Sequence, residues 1–377
     1  MSAAATGSRL GGRVATVARA VADRLVRRIE PIEPRRVLVA HHLLLGDTLM
    51  LTALIAKLRN NHPDADIAMT VPRAIAPLYA TRPYGLRALA WDPRDLPSSL
   101  FEERPFDLAI VPGDNRYAWL AAAMRARWIV AFDGDSPAHK NWPIDRLIPY
   151  PEVPRSWGDM VARLVDGPPA PQYAPSQWPA GPSDPFELPR GAFAVLHVGA
   201  STPLKRWQPD RWRTIATRLA ARGLEPVWSG GRGEEPIVAE ADPERRWRSY
   251  AGTLDLPQMR ALLDRAALLV SPDTGIAHLA RVAGTPSVTL YGPGSATITG
   301  TDRFYAAIPW RAVTVDPFPC RDQRILFRRE IAWVRRCGRT TAECAHPRCM
   351  DAIDVEAVSS AIGEVLARPD PRVVVPR

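Results

Sequence analysis

Short apolar runs of strand length alternate with helix-period segments from Arg36 onward, in two successive series, and this constrains the fold more than any other feature. Strands joined through helices run parallel and are covered on both faces, so each reads as apolar along its length. The first series predicts strands at 37–41, 67–71, 86–90, 108–111 and 128–131, with the clearest helices at 49–59 and 117–125. The second predicts strands at 193–198, 226–229, 268–271 and 287–291, with helices at 209–222, 257–264 and 276–282. Between them, 167–190 is Pro-rich and aperiodic, the composition of a linker. At roughly 150 residues per domain, the 377 residues suit two domains. The expected class is α/β, with two Rossmann-like halves: 35–166, then the 167–190 linker, then 191–350. A basic amphipathic extension over 1–34 precedes them, with a helix over 9–30 carrying Val14, Val17, Val21 and Leu25 at helical spacing. A closing helix at 354–367, within a tail at 351–377, is expected to pack back on the N-terminal half.

Composition narrows the class further. Apolar residues make up 46% and charged residues 24%, which excludes a disordered or collagen-like chain. The longest apolar stretches are broken by Asp47, or by Arg125 and Arg127, so no spanning helix is expected. No apolar h-region with a cleavage site is read at the N-terminus, and the expected location is cytoplasmic. The net charge of +9 is concentrated in two segments: 1–36 hold eight Arg against three acids, and 321–339 hold seven against two. Such patches suit an anionic partner, and an anionic membrane surface is preferred over nucleic acid because neither patch interleaves aromatics. Ordinary solvated arginine is the alternative. Lysine is confined to Lys57, Lys140 and Lys205, which singles out each of them.

Ligands of doubly wound sheets gather beyond the carboxyl ends of the strands, and four loops there carry chemistry. Leu45-Gly46-Asp47-Thr48 follows the first strand, with Asp47 either a carboxylate base or a helix N-cap. Gly199-Ala200-Ser201-Thr202, followed by Lys205, Arg206 and Trp207, offers small residues, hydroxyls and a cation to a phosphate. Ser229-Gly230-Gly231-Arg232-Gly233-Glu234 permits close backbone approach, with Glu234 able to accept from ribose hydroxyls. Asp273-Thr274-Gly275-Ile276-Ala277-His278 opens a helix whose free N–H groups suit an anion. Each alone also reads as structural: a cap, a surface lysine, a turn, a packed histidine.

Taken in order, with the following Gly284-Thr285-Pro286, these loops resemble glycosyltransferase family nine, the ADP-heptose:lipopolysaccharide heptosyltransferases, over about 36–295. The resemblance implies a GT-B fold, two Rossmann-like domains facing each other across a cleft, with acceptor on the N-terminal half and nucleotide sugar on the C-terminal half. It places the catalytic base on Asp47. Ser201, Thr202, Lys205, Gly231, Glu234, Asp273, Thr274, Gly275 and His278 fall to the donor, with Glu234 on the adenosine ribose and Asp273 on the sugar hydroxyls. The implied reaction is inverting and needs neither metal nor cofactor: heptose passes from ADP-heptose to a hydroxyl of a lipid-linked anionic glycan, the lipopolysaccharide core. The enzyme would then work in the cytoplasm, peripheral to the inner membrane, without binding nucleic acid.

Three other readings stand beside it. A non-catalytic nucleotide-sugar-binding or scaffolding protein would show the same motifs, and a transferase could use a protein hydroxyl as acceptor. An NAD-dependent oxidoreductase is more distant, because Gly292-Pro293-Gly294-Ser295-Ala296-Thr297 lacks the third glycine of a dinucleotide fingerprint. Finally, Cys320, Cys337, Cys344 and Cys349 share 30 residues at intervals of 16, 6 and 4, without a C-x-x-C pair. Buried thiols are the preferred reading and a structural metal site the alternative.

Overall fold

The computed structural model describes residues 9–23, 28–95, 97–300 and 302–372. The chain divides into two compact units. The first holds residues 1–153, 158–171 and 325–333; the second holds 154–157, 172–324 and 334–377.

The first unit is a six-stranded parallel sheet of β1 (Arg36–Val39), β2 (Asp66–Pro72), β3 (Arg87–Trp91), β4 (Leu108–Val111), β5 (Trp128–Phe132) and β6 (Arg146–Ile148), in the order β3-β2-β1-β4-β5-β6. Register is set by pairs such as Val37 with Ile67 and Val37 with Leu108. Its helices include α1 (Arg9–Asp23), α2 (Leu45–Met50), α3 (Thr52–Asn61) and α4 (Tyr117–Ala123). All four residues of β4 are buried, as a strand covered on both faces requires. Burying one such Val, Leu or Ile side chain contributes roughly 1.5–3 kcal/mol, so Ile110→Ala would open a cavity where the sheet is thickest.

Helix α1 packs on α4. It does so through small or turned-in residues: Gly12 and Ala20 are buried, and Arg19 lies over the Phe101 ring while donating to the Ala123 and Phe101 carbonyls. The valine stripe therefore faces outward, with Val14, Val17 and Val21 exposed by 62%, 42% and 44%. The helix ends at Asp23, short of the expected 30; Leu25 lies outside the described residues, and 28–30 are not helical.

The second unit is a five-stranded parallel sheet of β7 (Phe193–His197), β8 (Glu225–Ser229), β9 (Leu268–Pro272), β10 (Ser287–Tyr291) and β11 (Trp310–Thr314), ordered β11-β10-β9-β7-β8. Around it lie α5 (Pro209–Ala221), α6 (Glu235–Ala241), α7 (Leu256–Arg265), α8 (Gly275–Ala283) and α9 (Val355–Leu366). Helix α7 starts at a reciprocal cap, Asp255 accepting from Gln258 N while Gln258 accepts from Asp255 N. Helix α8 stops at Gly284, whose φ of +77° is the left-handed cap glycine tolerates best.

Two expectations about the chain's path are corrected. Helix α9 packs on β10, β11 and α5, within the second unit and not on the N-terminal half, because its buried Val358, Ile362 and Val365 belong to that unit's core. From Gln172 the Pro-rich stretch also belongs to the second unit. There Tyr173 and Trp178 are buried, and the Tyr173 hydroxyl donates to the Val282 carbonyl at 2.6 Å. Two aromatic anchors turn a linker composition into a packed strap.

A hairpin of β12 (Ile325–Leu326) and β13 (Arg329–Glu330) follows β11 in sequence yet belongs to the first unit. Among the described residues no helix is long and apolar enough to cross a membrane.

Candidate functional site

Strand order alone brings three of the four loops, those after β7, β8 and β9, to neighbouring positions. In the second sheet, order reverses between β7 and β9, and a doubly wound sheet binds its ligand at that reversal. The loop after β7 carries Gly199 to Lys205, and the loop after β9 carries Asp273 to Gly275. Their side chains meet: Lys205 Nζ lies 3.0 Å from Asp273 Oδ2 and donates to the Asp273 carbonyl at 2.7 Å. Thr202 Oγ1 caps the short turn that carries Lys205, and Ser201 is exposed.

Helix α8 opens beside this pair. Its N-cap is Thr274, whose Oγ1 is buried and makes no hydrogen bond to protein. One turn on, His278 Nδ1 is likewise buried without a partner. Burial, aided by the Arg281 and Lys205 charges, drives the His278 pKa well below its ordinary value, so the ring is neutral. Buried polar atoms are almost always satisfied, by protein or by ordered water, so two orphans at the start of one helix leave hydrogen-bonding capacity beside Lys205 and Asp273.

Glu234 takes a different place from the one expected. Its carboxylate accepts from Ala200 N at 2.9 Å and from Gly231 N at 2.5 Å, tying the loop after β7 to the loop after β8. Gly199 is required for this: a Cβ there would lie 1.8 Å from Glu234 Oε2. Sequence reasoning also missed the brace on Asp273. Thr299 Oγ1 donates to Asp273 Oδ1 at 3.1 Å, and the buried Arg281 holds the Thr299 and Gly300 carbonyls. The rival glycine motif is part of that brace, since a Cβ on Gly294 would lie 2.4 Å from Asp273 Oδ2.

In the first sheet the reversal falls between β1 and β4. Asp47 follows β1, half-buried in the first turn of α2. The N-cap of that helix is Leu44, so Asp47 sits three residues inside and is not the cap. After β4 and β5 stands a network that sequence reasoning did not assemble. Asp114 is shared by Arg116 at 2.5 Å, Lys140 at 3.0 Å and Arg328 at 3.8 Å. Burial would raise its pKa, but hydrogen bonds from Arg116 and Lys140 outweigh that and hold it at about 2. Lys140 also reaches Asp135 at 3.0 Å. Arg329, only 3% exposed, donates to Asn115 Oδ1 and to the Gly113, Phe132 and Asp133 carbonyls. The scarcity of lysine was the available signal for Lys140. Lys57, by contrast, is structural, donating to the Ala162 and Val165 carbonyls.

The second basic segment is also less of a surface patch than its composition implies. Arg321 and Arg329 are buried on carbonyls, and Arg339 pairs with Asp322 at 2.9 Å.

All four cysteines are free and line one cavity of about 360 Å³. Only Cys349 is buried; burial and the neighbouring Cys320 push its thiol up to about 11. Among the described residues no three His, Cys, Asp or Glu side chains are grouped to hold a metal ion.

Comparison with known proteins bears on the family and the fold. The sequence profile described as "Glycosyltransferase family 9 (heptosyltransferase)" matches residues 99–315. The chain is 23% identical over 317 residues to lipopolysaccharide heptosyltransferase 3 of Escherichia coli, covering 74% of this chain and 89% of that one. A family 9 glycosyltransferase structure from Veillonella parvula superposes with a TM-score of 0.68 at 17% identity, covering 90% of this chain and 99% of that one. The E. coli heptosyltransferase WaaC with ADP gives 0.64 at 16%, covering 88% and 99%. The fold is therefore GT-B, as in these structures.

Proposed function

Because the chain belongs to glycosyltransferase family 9, the heptosyltransferases, we propose that it moves a heptose from ADP-heptose to a hydroxyl of the lipopolysaccharide core, with inversion and without a metal. The observation that carries this is the second sheet's reversal point, where Lys205, Asp273 and the unsatisfied first turn of α8 converge. A diphosphate leaving group gains negative charge as its bond to the anomeric carbon breaks. Lys205, the hydroxyls of Ser201 and Thr202, and the N–H groups opened by Thr274 and Gly275 stabilise that charge, preset before the reaction begins. His278, neutral and orphaned at Nδ1, takes a phosphate or sugar oxygen. Asp273, held by Thr299 and Lys205, accepts from donor sugar hydroxyls. Gly231 and Glu234 hold the loops after β7 and β8 in register, and we assign Glu234 to that tie rather than to the ribose.

The first unit supplies the base. As the acceptor oxygen bonds to the anomeric carbon, its proton passes to the Asp47 carboxylate, and ADP departs from the opposite face. The test is incubation with a panel of nucleotide sugars and a lipid-linked core acceptor. ADP-heptose should be consumed only when the acceptor is present, whereas exclusive use of a UDP-sugar, or binding without turnover, refutes the assignment. Label transferred to protein instead of lipid would select the protein-acceptor reading.

The outward valines of α1 support a place at an anionic membrane surface in the cytoplasm, since a lipid-linked acceptor is presented there. Sedimentation with anionic vesicles should weaken as salt rises and fall when residues 1–34 are deleted. Equal binding to neutral vesicles would remove this placement.

A further inference from the structure

The four thiols of the chain are gathered behind the loops that carry Lys205 and Asp273, and the reaction proposed above uses none of them. Their cavity also takes in Leu204, next to Lys205, and Pro293, next to the Gly294 that abuts Asp273. Cys337 N donates to the Pro293 carbonyl at 2.9 Å, and Arg321 Nε donates to the Gly292 carbonyl at 2.8 Å. A Cβ on Gly292 would lie 3.3 Å from Cys349 Sγ. A change among these sulfurs is therefore passed to the loop that sets Asp273.

The four are not equivalent. Cys349 is buried, and Cys344 donates to the His346 carbonyl at 3.4 Å. Cys320 and Cys337 are half-buried and stand within hydrogen-bond reach of each other. The chain brings them there by folding back, since Gln323 and Arg336 exchange both backbone hydrogen bonds, at 3.0 and 3.2 Å, at the neck of the β12–β13 hairpin. Opposed residues of that kind lie about 5.5 Å apart at Cα, so the segment between the two cysteines ends beside its start.

Arg339 spans the pair. It donates to the Cys320 carbonyl at 2.6 Å, stands 3.9 Å from Cys337 Sγ, and is itself anchored by Asp322 at 2.9 Å. A guanidinium beside a sulfur favours its thiolate, the form that attacks a disulfide. Burial, and then the neighbouring Cys337, push the Cys320 thiol up, which leaves Cys337 to react first.

We propose that Cys320 and Cys337 form a thiol-modification site, closed reversibly to a disulfide by small-molecule disulfides, and that closure loosens the donor site. The Cys337 thiolate attacks one sulfur of the small disulfide, forming a mixed disulfide and releasing one thiolate. Cys320 then gives up its proton and attacks Cys337 Sγ, which closes the protein disulfide and releases a second thiolate. Each released thiolate takes up a proton that a cysteine gave up, so two protein thiols are oxidised and the small disulfide is reduced to two thiols. The new bond draws the sulfurs in to about 2.05 Å, pulling on Cys337 and through its N–H on Pro293. The thiol chemistry stands on the second unit alone, whereas its effect on the donor rests on the function proposed above.

The full reduced chain is incubated with glutathione disulfide. Mass spectrometry of unreduced peptides reads the pairing, thiol titration in denaturant counts free cysteines, and calorimetry reads ADP-heptose affinity. Two of the four thiols should disappear, one peptide pair should join Cys320 to Cys337, and ADP-heptose should bind several-fold more weakly until dithiothreitol restores it. Cys320→Ser should stop with glutathione on Cys337. Cys337→Ser should close no disulfide and hold ADP-heptose affinity constant through the oxidant, while Cys344→Ser should still switch. Failure of the Cys320–Cys337 bond to form, a bond between another pair, or a metal ion holding the thiols of the purified protein overturns the proposal. A closed disulfide with unchanged ADP-heptose affinity overturns it as well. Closure in a chain whose reduced form binds no ADP-heptose supports the thiol pair and overturns the heptosyltransferase reaction instead.

Discussion

At the carboxyl end of the second sheet, Thr274 Oγ1 and His278 Nδ1 are buried without partners; at that of the first, Asp114 and Asp135 are each held by several donors, and Asn115 accepts from Arg329 and donates to the Phe132 carbonyl. The first arrangement leaves hydrogen-bonding capacity that a ligand can fill. The second is closed on itself and sets side chains in place before any ligand arrives. Substitutions should therefore differ in kind: those around Asp273 are felt as lost affinity, and that of the buried Arg329 as lost stability. Asp47, the proposed base, is the exception on its own sheet.

That exception gives the largest expected effect. Asp47→Asn keeps the shape of the side chain but cannot accept the proton, and turnover should fall about 10³-fold with ADP-heptose affinity near normal. Retained activity would show Asp47 to be structural. Next is Arg329→Ala, which leaves the Asp114–Asp135 network and three carbonyls without their guanidinium. Breaking a buried charge pair costs about 3 kcal/mol or more, so the first unit should melt earlier while the second still binds ADP-heptose. Unchanged melting would mean the network is not stabilising.

Acid should act on both units through buried histidines, His41 in the first and His197 and His278 in the second. Burial holds His41 at about 3 and His197 at about 4, against 6.5 for the free side chain. Both are neutral in the fold, so their contribution is complete above pH 6.5 and declines as the unfolded chain gains protons below it. At pH 5 the loss is about 2 kcal/mol for each. It continues to about pH 4 for His197 and about pH 3 for His41. Melting curves from pH 7 to 3.5 test this, and a flat profile would contradict it. The smallest effect is that of Lys205→Ala, which should weaken ADP-heptose binding roughly tenfold, about 1.5 kcal/mol, and lower turnover with it. Equal donor affinity in the variant would contradict a phosphate role.

The two ends also differed in how readable they were. Strands β7 to β10 and the loops behind them are contiguous in sequence, so apolar runs followed by Gly-Ala-Ser-Thr or Asp-Thr-Gly were sufficient to locate Lys205 and Asp273. Strand β6 has only three residues and β11 alternates in burial, so neither gave a run long enough to recognise. Arg329 is separated from Asn115 by 214 positions, and no local pattern ties a guanidinium to a carboxamide that far away. The Thr299 brace was hidden for a related reason: hydroxyl to carboxylate pairing is set by packing, not by period. The arginines of 321–339 misled because composition reports charge but not which charges are buried on carbonyls.

The hairpin also bears on how the protein is made. Residues 325–333 complete the first unit but follow all five strands of the second unit's sheet in the chain. A ribosome that has released everything up to residue 300 has made all six strands of the first sheet, yet Asp135 and the Gly113, Phe132 and Asp133 carbonyls still lack Arg329. The first unit to emerge therefore waits for most of the second before it is finished, and a fragment cut after residue 171 would keep the sheet but not the plug that closes its working end.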